Sequence, residues 1–178
     1  KRLDRLISDI ASSSRLEVEL AKGEFEEIDI RDVLESVVEV TRTNISKKLD
    51  IDVRLNIPKN EINVLGIGDR IAQVFYNLVD NALSFSKSGS SIEINAWTTK
   101  KEAIIEVKDQ GPGIPKENLG RIFERFYTYR PEEKSFGNNS GLGLSICRQI
   151  IESLNGTIIA TNRLGGGATF TIMLPLQN

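Results

Sequence analysis

The stretch Asp69–Ser86, DRIAQVFYNLVDNALSFS, constrains this chain more than any other. Ile71, Val74, Phe75, Leu78, Val79 and Ala82 recur at offsets of three and four, the spacing of one helical face. A helix with so apolar a stripe needs a surface to cover. Asp69, just after the Gly66–Gly68 break, reads as its N-cap. Asn77 and Asn81 stand about one turn apart on a shared face. Asn is a poor mid-helix residue, because its amide competes for backbone hydrogen bonds. Two readings account for the pair: a solvated polar stripe, or amide oxygens facing a hard cation or its waters.

The surface to be covered comes from alternating segments. Ile51–Ile57, Glu61–Leu65, Ser91–Thr99, Glu102–Lys108, Thr157–Asn162 and Ala168–Leu174 read as strands, and Phe25–Ile28 as a short one. Ser91–Thr99 and Glu102–Lys108 suit a hairpin. Further helices are expected from Ile30, capped by Asp29, to about Lys47, and from Gly141 to the Asn155-Gly156 stop. Short helical turns are expected over Lys116–Phe126, and Tyr127–Asn139 is a polar loop. Lys1–Ala21 reads as a helix with a heptad-like stripe (Leu3, Leu6, Ile10, Leu20), ended by Lys22-Gly23-Glu24. Its pattern suits either a surface helix or the tail of an antiparallel bundle hairpin. Helices with hairpin-linked strands and no regular βαβ alternation indicate an α+β fold, with a mixed sheet covered on one face by helices.

The 178 residues suit one domain plus a short appendage. A net charge of −2 argues against nucleic acid as partner. The single Cys147 excludes an internal disulfide or cysteine–zinc cluster. No run is long enough for a membrane span and no signal peptide is expected, so the chain reads as soluble and cytoplasmic. Histidine is absent, which removes imidazole bases, His nucleophiles and His ligands. Any metal would be held by oxygen, favouring Mg²⁺ or Ca²⁺.

Two glycine motifs could meet a nucleotide. Asp109-x-Gly111-x-Gly113 follows a strand, where a carboxylate can accept from an exocyclic amino group and glycines let backbone approach a flat ring. Taken singly, the motif is also a common turn. Gly141-Leu142-Gly143-Leu144 enters a helix, where free N–H groups attract an anion. No Lys-Ser/Thr follows and no strand directly precedes it, so it is neither a Walker loop nor a dinucleotide fingerprint. Gly165-Gly166-Gly167 is most simply a hairpin turn, with Thr169 nearby.

In this order the motifs resemble the catalytic ATP-binding domain of bacterial sensor histidine kinases, in the superfamily shared with DNA gyrase and MutL. Asp69–Ser86 is similar to the N box, DQGPGI to the G1 box, Phe123–Phe126 to the F box, NSGLGL to the G2 box and GGGATFTIMLP to the G3 stretch. The resemblance implies a two-layer Bergerat-type sandwich over 25–178 with an ATP lid near 127–140. It makes 1–22 the end of the second helix of a dimerisation and phosphotransfer hairpin. By position, Asn81 would hold Mg²⁺ and Asn77 would support phosphates or metal water. Asp109 would read the adenine amino group, with Gly111, Gly113, Ile114, Phe85 and Thr169 shaping the base pocket. Gly141, Leu142 and Gly143 would cradle phosphate, and Tyr127, Ser140 and Leu144 would complete the nucleotide site. The implied partners are ATP, the chain's own hairpin within a homodimer, and a response regulator. The implied location is the cytoplasmic side of an inner-membrane protein whose sensor lies outside this chain.

The resemblance also carries departures. Hydrolysing branches of the superfamily place a Glu base four residues before the metal Asn; here that position is Asn77, which disfavours direct hydrolysis. A Lys is usual where Ser84 stands, and Arg or Lys is frequent where Thr128 stands. Arg125 and Arg130 are the candidates to meet phosphate instead, with Lys134 and Lys87 behind them; each is otherwise a solvated surface charge. Asn139 replaces a usual hinge glycine. The rival readings are a nucleotide-binding regulatory module without kinase activity, and an ATPase or serine kinase of the same superfamily.

Overall fold

The computed structural model describes residues 25–45, 50–128 and 141–177. The expected N-terminal helix, the end of the second helix near Lys47, and most of the 127–140 loop lie outside them.

The chain opens with β1 (Glu26–Asp29) and α1 (Ile30–Ile45). Asp29 caps α1 as its sequence position suggests: Oδ1 accepts from the N–H of Arg31 at 2.9 Å and of Ile62 at 3.0 Å. The same carboxylate therefore ties the helix start to the approach of a later strand. After β2 (Asp52–Asn56) comes β3 (Asn63–Gly66), which pairs antiparallel with β1 in a small separate sheet. Next come α2 (Gly68–Phe85), the hairpin β4 (Ser91–Thr98) and β5 (Glu102–Lys108), and a single 3-10 turn at Lys116–Asn118. Then α3 (Gly143–Ser153), β6 (Thr157–Asn162) and β7 (Ala168–Pro175) complete the order.

The main sheet has five strands in the order β2-β4-β5-β7-β6. β2 runs parallel to β4, and the other pairings are antiparallel. Strand alternation sends Ile92, Ile94 and Ala96, Ala103, Ile105 and Val107, and Ala168, Phe170, Ile172 and Leu174 to one face, all buried. Register aligns Ile94, Val107 and Phe170 in one row. The helices cover this face. All six apolar residues of the α2 stripe are buried, as the spacing predicts. The opposite face carries Asn56, Asn95, Glu106 and Thr171, with Asn56 donating to Asn95 at 2.9 Å. The expected α+β layering is thus the observed one.

Two expected boundaries move. Asp69 is not the N-cap of α2: Ile67 is, in extended geometry and without a side-chain cap bond. Gly66 and Gly68 explain the shift. A Cβ on Gly66 would meet Ile71 Cδ1 at 2.6 Å and one on Gly68 would meet Ile28 Cδ1 at 3.3 Å, so the bare backbone turns directly from strand to helix. Asp69 falls in the first turn, where its carboxylate faces the positive helix end. Likewise α3 begins at Gly143 rather than Gly141, because Gly141 adopts φ +76° and cannot be helical. Its far end closes as expected: Asn155 takes φ +57°, and the N–H groups of Asn155 and Gly156 return to the carbonyls of Glu152 and Ile151.

Candidate functional site

α2 and α3 pack against each other and set Asn77, in the middle of α2, against Gly143 at the start of α3. Asn77, half-buried, points its Nδ2 at the Gly143 carbonyl, 3.4 Å away. A Cβ on Gly143 would lie 3.8 Å from Asn77 Cγ, an ordinary contact. One turn along, Asn81 is half-buried, and its side chain makes no hydrogen bond among the described residues. Its carbonyl accepts the Ser84 hydroxyl at 2.8 Å. Beside Asn77, the buried Cys147 thiol is pushed up to about 12 by desolvation, against a smaller opposing hydrogen bond from Asn77. It stays protonated and inert.

α3 presents its N-terminus at this point. The N–H groups of Gly143, Leu144 and Ser145 have no intrahelical partner, while Ile146 makes the first helical bond, to Leu142 O at 2.9 Å. The donors of the helix start thus lie two residues further along than Gly141-Leu142-Gly143. Leu142 is buried. Gly141 instead joins the two ends of the loop: its carbonyl accepts from Phe126 N–H at 3.1 Å, and a Cβ on it would lie 2.9 Å from Thr128 Cγ2 and 3.0 Å from Tyr127 O. Phe126 reaches this contact in left-handed geometry, φ +64°. The neighbouring segment is held by stacking: Arg121 lies over Tyr127 at 4.8 Å, Arg148 over Phe123 at 4.5 Å, and Phe123 meets Phe170 edge-on. Arg125 stands exposed on the turn before Phe126. Arg130 and Ser140 lie outside the described residues.

The second half of the site lies at the ends of β5, β6 and β7. Asp109, 5% exposed, receives the N–H of Gly111 at 2.8 Å and of Ala168 at 3.2 Å, both on Oδ1. The other carboxylate oxygen takes neither bond. Desolvation raises its pKa above the ordinary carboxylate value, against the two backbone N–H groups and Arg163, which lower it. Two glycines make this geometry possible. A Cβ on Gly111 would meet Phe85 O at 3.0 Å, so the end of α2 sits directly on the loop. A Cβ on Gly167, which has φ +94°, would lie 2.1 Å from Asp109 O. Thr169, buried, is in register with Lys108, the residue before Asp109. Gly113 takes φ +79°. Ile114 is gripped through its main chain by Asn162, and Asp109 O by Arg163.

The structure therefore gathers Asn77, Gly143 and Leu144 at one end, and Phe85, Asp109, Gly111, Gly113, Ile114 and Thr169 at the other. Ser84 turns back onto its own helix and Thr128 onto Gly141, so neither position supplies a cation. Sequence reasoning missed Asn162, Arg163 and the steric role of Gly167. Only the last had a signal, in three successive glycines. Among the described residues no three His, Cys, Asp or Glu side chains group to hold a metal. An ion here would rest on an amide oxygen and on the ligand's own oxygens, an arrangement Mg²⁺ accepts and to which the unbonded Asn81 amide is suited.

A model of the histidine kinase-, DNA gyrase B-, and HSP90-like ATPase family matches residues 66–178. Sensor protein ChvG of Rhizobium meliloti is 45% identical over 186 residues, which cover 98% of this chain and 32% of that protein. The chain spans about a third of the length of such curated relatives. Among solved structures, the catalytic domain of histidine kinase ThkA superposes with a TM-score of 0.75 at 31% identity, over 85% of this chain and 97% of that one. ThkA in complex with the response regulator TrrA gives 0.76 at 28% identity, over 98% of this chain and 48% of that one.

Proposed function

The chain belongs to the histidine kinase-, DNA gyrase B- and HSP90-like ATPase family, among the sensor histidine kinases, and we propose that it binds ATP and donates the γ-phosphoryl group to a His outside this chain. The acceptor would sit on a dimerisation hairpin of which residues 1–22 are the end, with 25–178 as the catalytic domain. A response regulator would take the phosphoryl group onward, as the complex of ThkA with the response regulator TrrA suggests by analogy. Within the longer protein this domain would work on the cytoplasmic side of an inner membrane, in a homodimer.

The observation that carries the reading is the Asp109 carboxylate. Backbone N–H groups engage Oδ1, which leaves the other oxygen to accept the amino group of adenine. The bare Gly111 and Gly113 let Phe85 and Asn162 close on the loop and hold its main chain beside that carboxylate. At the far end, the N–H groups of Gly143, Leu144 and Ser145 suit phosphate oxygens. Asn77 and Asn81 lie between helix and phosphates. Asn81 would hold Mg²⁺, which when bound offsets phosphate charge as the γ-group leaves. This chain's own part is to bind, orient and exclude water. Arg125 and Arg130 are the proposed cationic contacts to the γ-phosphate, in place of the side chains absent at Ser84 and Thr128.

Calorimetric titration with ATP and Mg²⁺ tests the reading, with GTP as the control. Saturable binding with a preference for ATP is expected; no binding, or equal binding of both, sinks it. The small side chains at Ser84 and Thr128 favour one second reading, a nucleotide-binding module without catalysis. Transfer of phosphate to a His-bearing hairpin fragment separates the two.

A further inference from the structure

The dipeptide at the exit of β6 holds both ends of the loop 109–114. Asn162 uses its side-chain amide as a strand uses a peptide group. Its Oδ1 accepts from Ile114 N–H at 2.7 Å, and its Nδ2 donates to Ile114 O at 2.6 Å. Gly113 presses against the same amide, and a Cβ there would lie 2.9 Å from Asn162 Oδ1. Arg163 Nη1 donates to Asp109 O at 3.0 Å, while its Nη2 lies 3.6 Å from Glu93 Oε1. Register completes the frame: Asn162 stands opposite Ala168, whose N–H is one of the two donors to the Asp109 carboxylate. Gly113 and Ile114, which would meet a base, are thus tied by one side chain to the end of β6, the edge strand that pairs with β7.

We propose that Asn162 is a positioning residue for base recognition. By fixing the Gly113–Ile114 main chain relative to the Asp109 carboxylate, it sets the chain's preference for adenine over guanine nucleotides. This rests on the reading of Asp109 as the group that meets adenine. Recognition geometry must be held to about 0.5 Å, and a bidentate amide fixes both the distance and the tilt of the wall. Asn162 is exposed, so water replaces its bonds when it is removed, and the fold tolerates the loss. The phosphate end, built from α2 and α3, is left untouched.

The test is titration of wild type, Asn162→Ala and Asn162→Ser with ATP, GTP and inorganic tripolyphosphate in Mg²⁺, with melting curves alongside. In Asn162→Ala the Kd for ATP should rise about tenfold, from two lost hydrogen bonds, while tripolyphosphate changes by no more than about twofold. The ATP-to-GTP ratio should shrink accordingly. Asn162→Ser keeps one of the two bonds at most, and should fall between wild type and Asn162→Ala. An unchanged Kd for ATP in Asn162→Ala, or equal loss for all three ligands, overturns the proposal. Should that variant unfold, Asn162→Ser decides by the same ratio. A wild-type chain that does not prefer ATP to GTP overturns the adenine reading and this one together. A wild type that prefers ATP, with the preference intact in both variants, overturns only the role of Asn162.

Discussion

Asp109 combines two demands that usually conflict. It is a carboxylate in a nearly dry place, and its ionised form is penalised there. Because its folded-state pKa is raised, that penalty is present at neutral pH and is relieved as pH falls through the folded pKa. Asp109→Asn removes the charge but keeps an oxygen for the N–H groups of Gly111 and Ala168, so stability at pH 7 should hold or rise slightly. The amide's NH₂ then replaces the acceptor that adenine needs, setting donor against donor. ATP affinity should fall by about 2–4 kcal/mol, checked by calorimetry beside a thermal melt. A variant that melts early and binds ATP normally would contradict both halves. Wild-type binding should weaken on acidification as the carboxylate protonates, and Asp109→Asn should lack that slope. Gly167 makes the complementary case. Ala there would need a methyl 2.1 Å from Asp109 O at φ +94°, whereas Gly165 opens onto empty space at φ +91°. Gly167→Ala should cost several kcal/mol in denaturant titration and Gly165→Ala only about 1 kcal/mol. At this scale the sequence was legible where chemistry is local. Asp-x-Gly-x-Gly announces a carboxylate beside backbone, whereas Asn162 grips Ile114 across 48 positions and no local pattern announces that.

Among the elements, α2 was the most readable, because burial of one face forces a period that shows in the residue order. Its apolar stripe and its two asparagines fall where spacing put them. Its start differs from the expected one, since Asp is a good cap by composition while Gly66 and Gly68 decide the geometry through the close approach of Ile71 and Ile28. Sheet pairing was less legible. Alternation predicts strands but not partners, so neither the parallel pairing of β2 with β4 nor the separate β1–β3 sheet could be read. The asparagine face of α2 yields a metal-linked prediction. Asn81→Ala removes a half-buried amide oxygen whose side chain makes no other bond among the described residues, so stability should change by less than about 1 kcal/mol. In Mg²⁺ its ATP affinity should drop about tenfold or more, and a chelator should bring wild type down to the same level. Equal ATP affinity of the two proteins in Mg²⁺ would remove Asn81 from the metal site.

At the scale of the molecule, the site is a junction of two assemblies. Strand ends of β5, β6 and β7 frame the base end, and the middle of α2 with the start of α3 frames the phosphate end, with Phe85 on Gly111 as the hinge between them. The arrangement suits a nucleotide along its length, and at position 77 it offers an amide where a base for water would need to stand. Asn77 occupies the place from which a carboxylate could take a proton, and an amide already directed at Gly143 O cannot serve. No His stands anywhere in the 178 residues to replace it. Incubated alone with ATP and Mg²⁺, the chain should therefore form ADP at close to the background rate. Supplied with a hairpin fragment carrying a His and an acidic neighbour, it should consume ATP in proportion to phosphohistidine formed, since the nucleophile and its base then arrive together on the partner. The paired measurement is radiolabel transfer to the hairpin against free phosphate released. Steady release of phosphate by the chain alone, unaffected by the hairpin, would assign it instead to the hydrolysing branch and require a base other than Asn77.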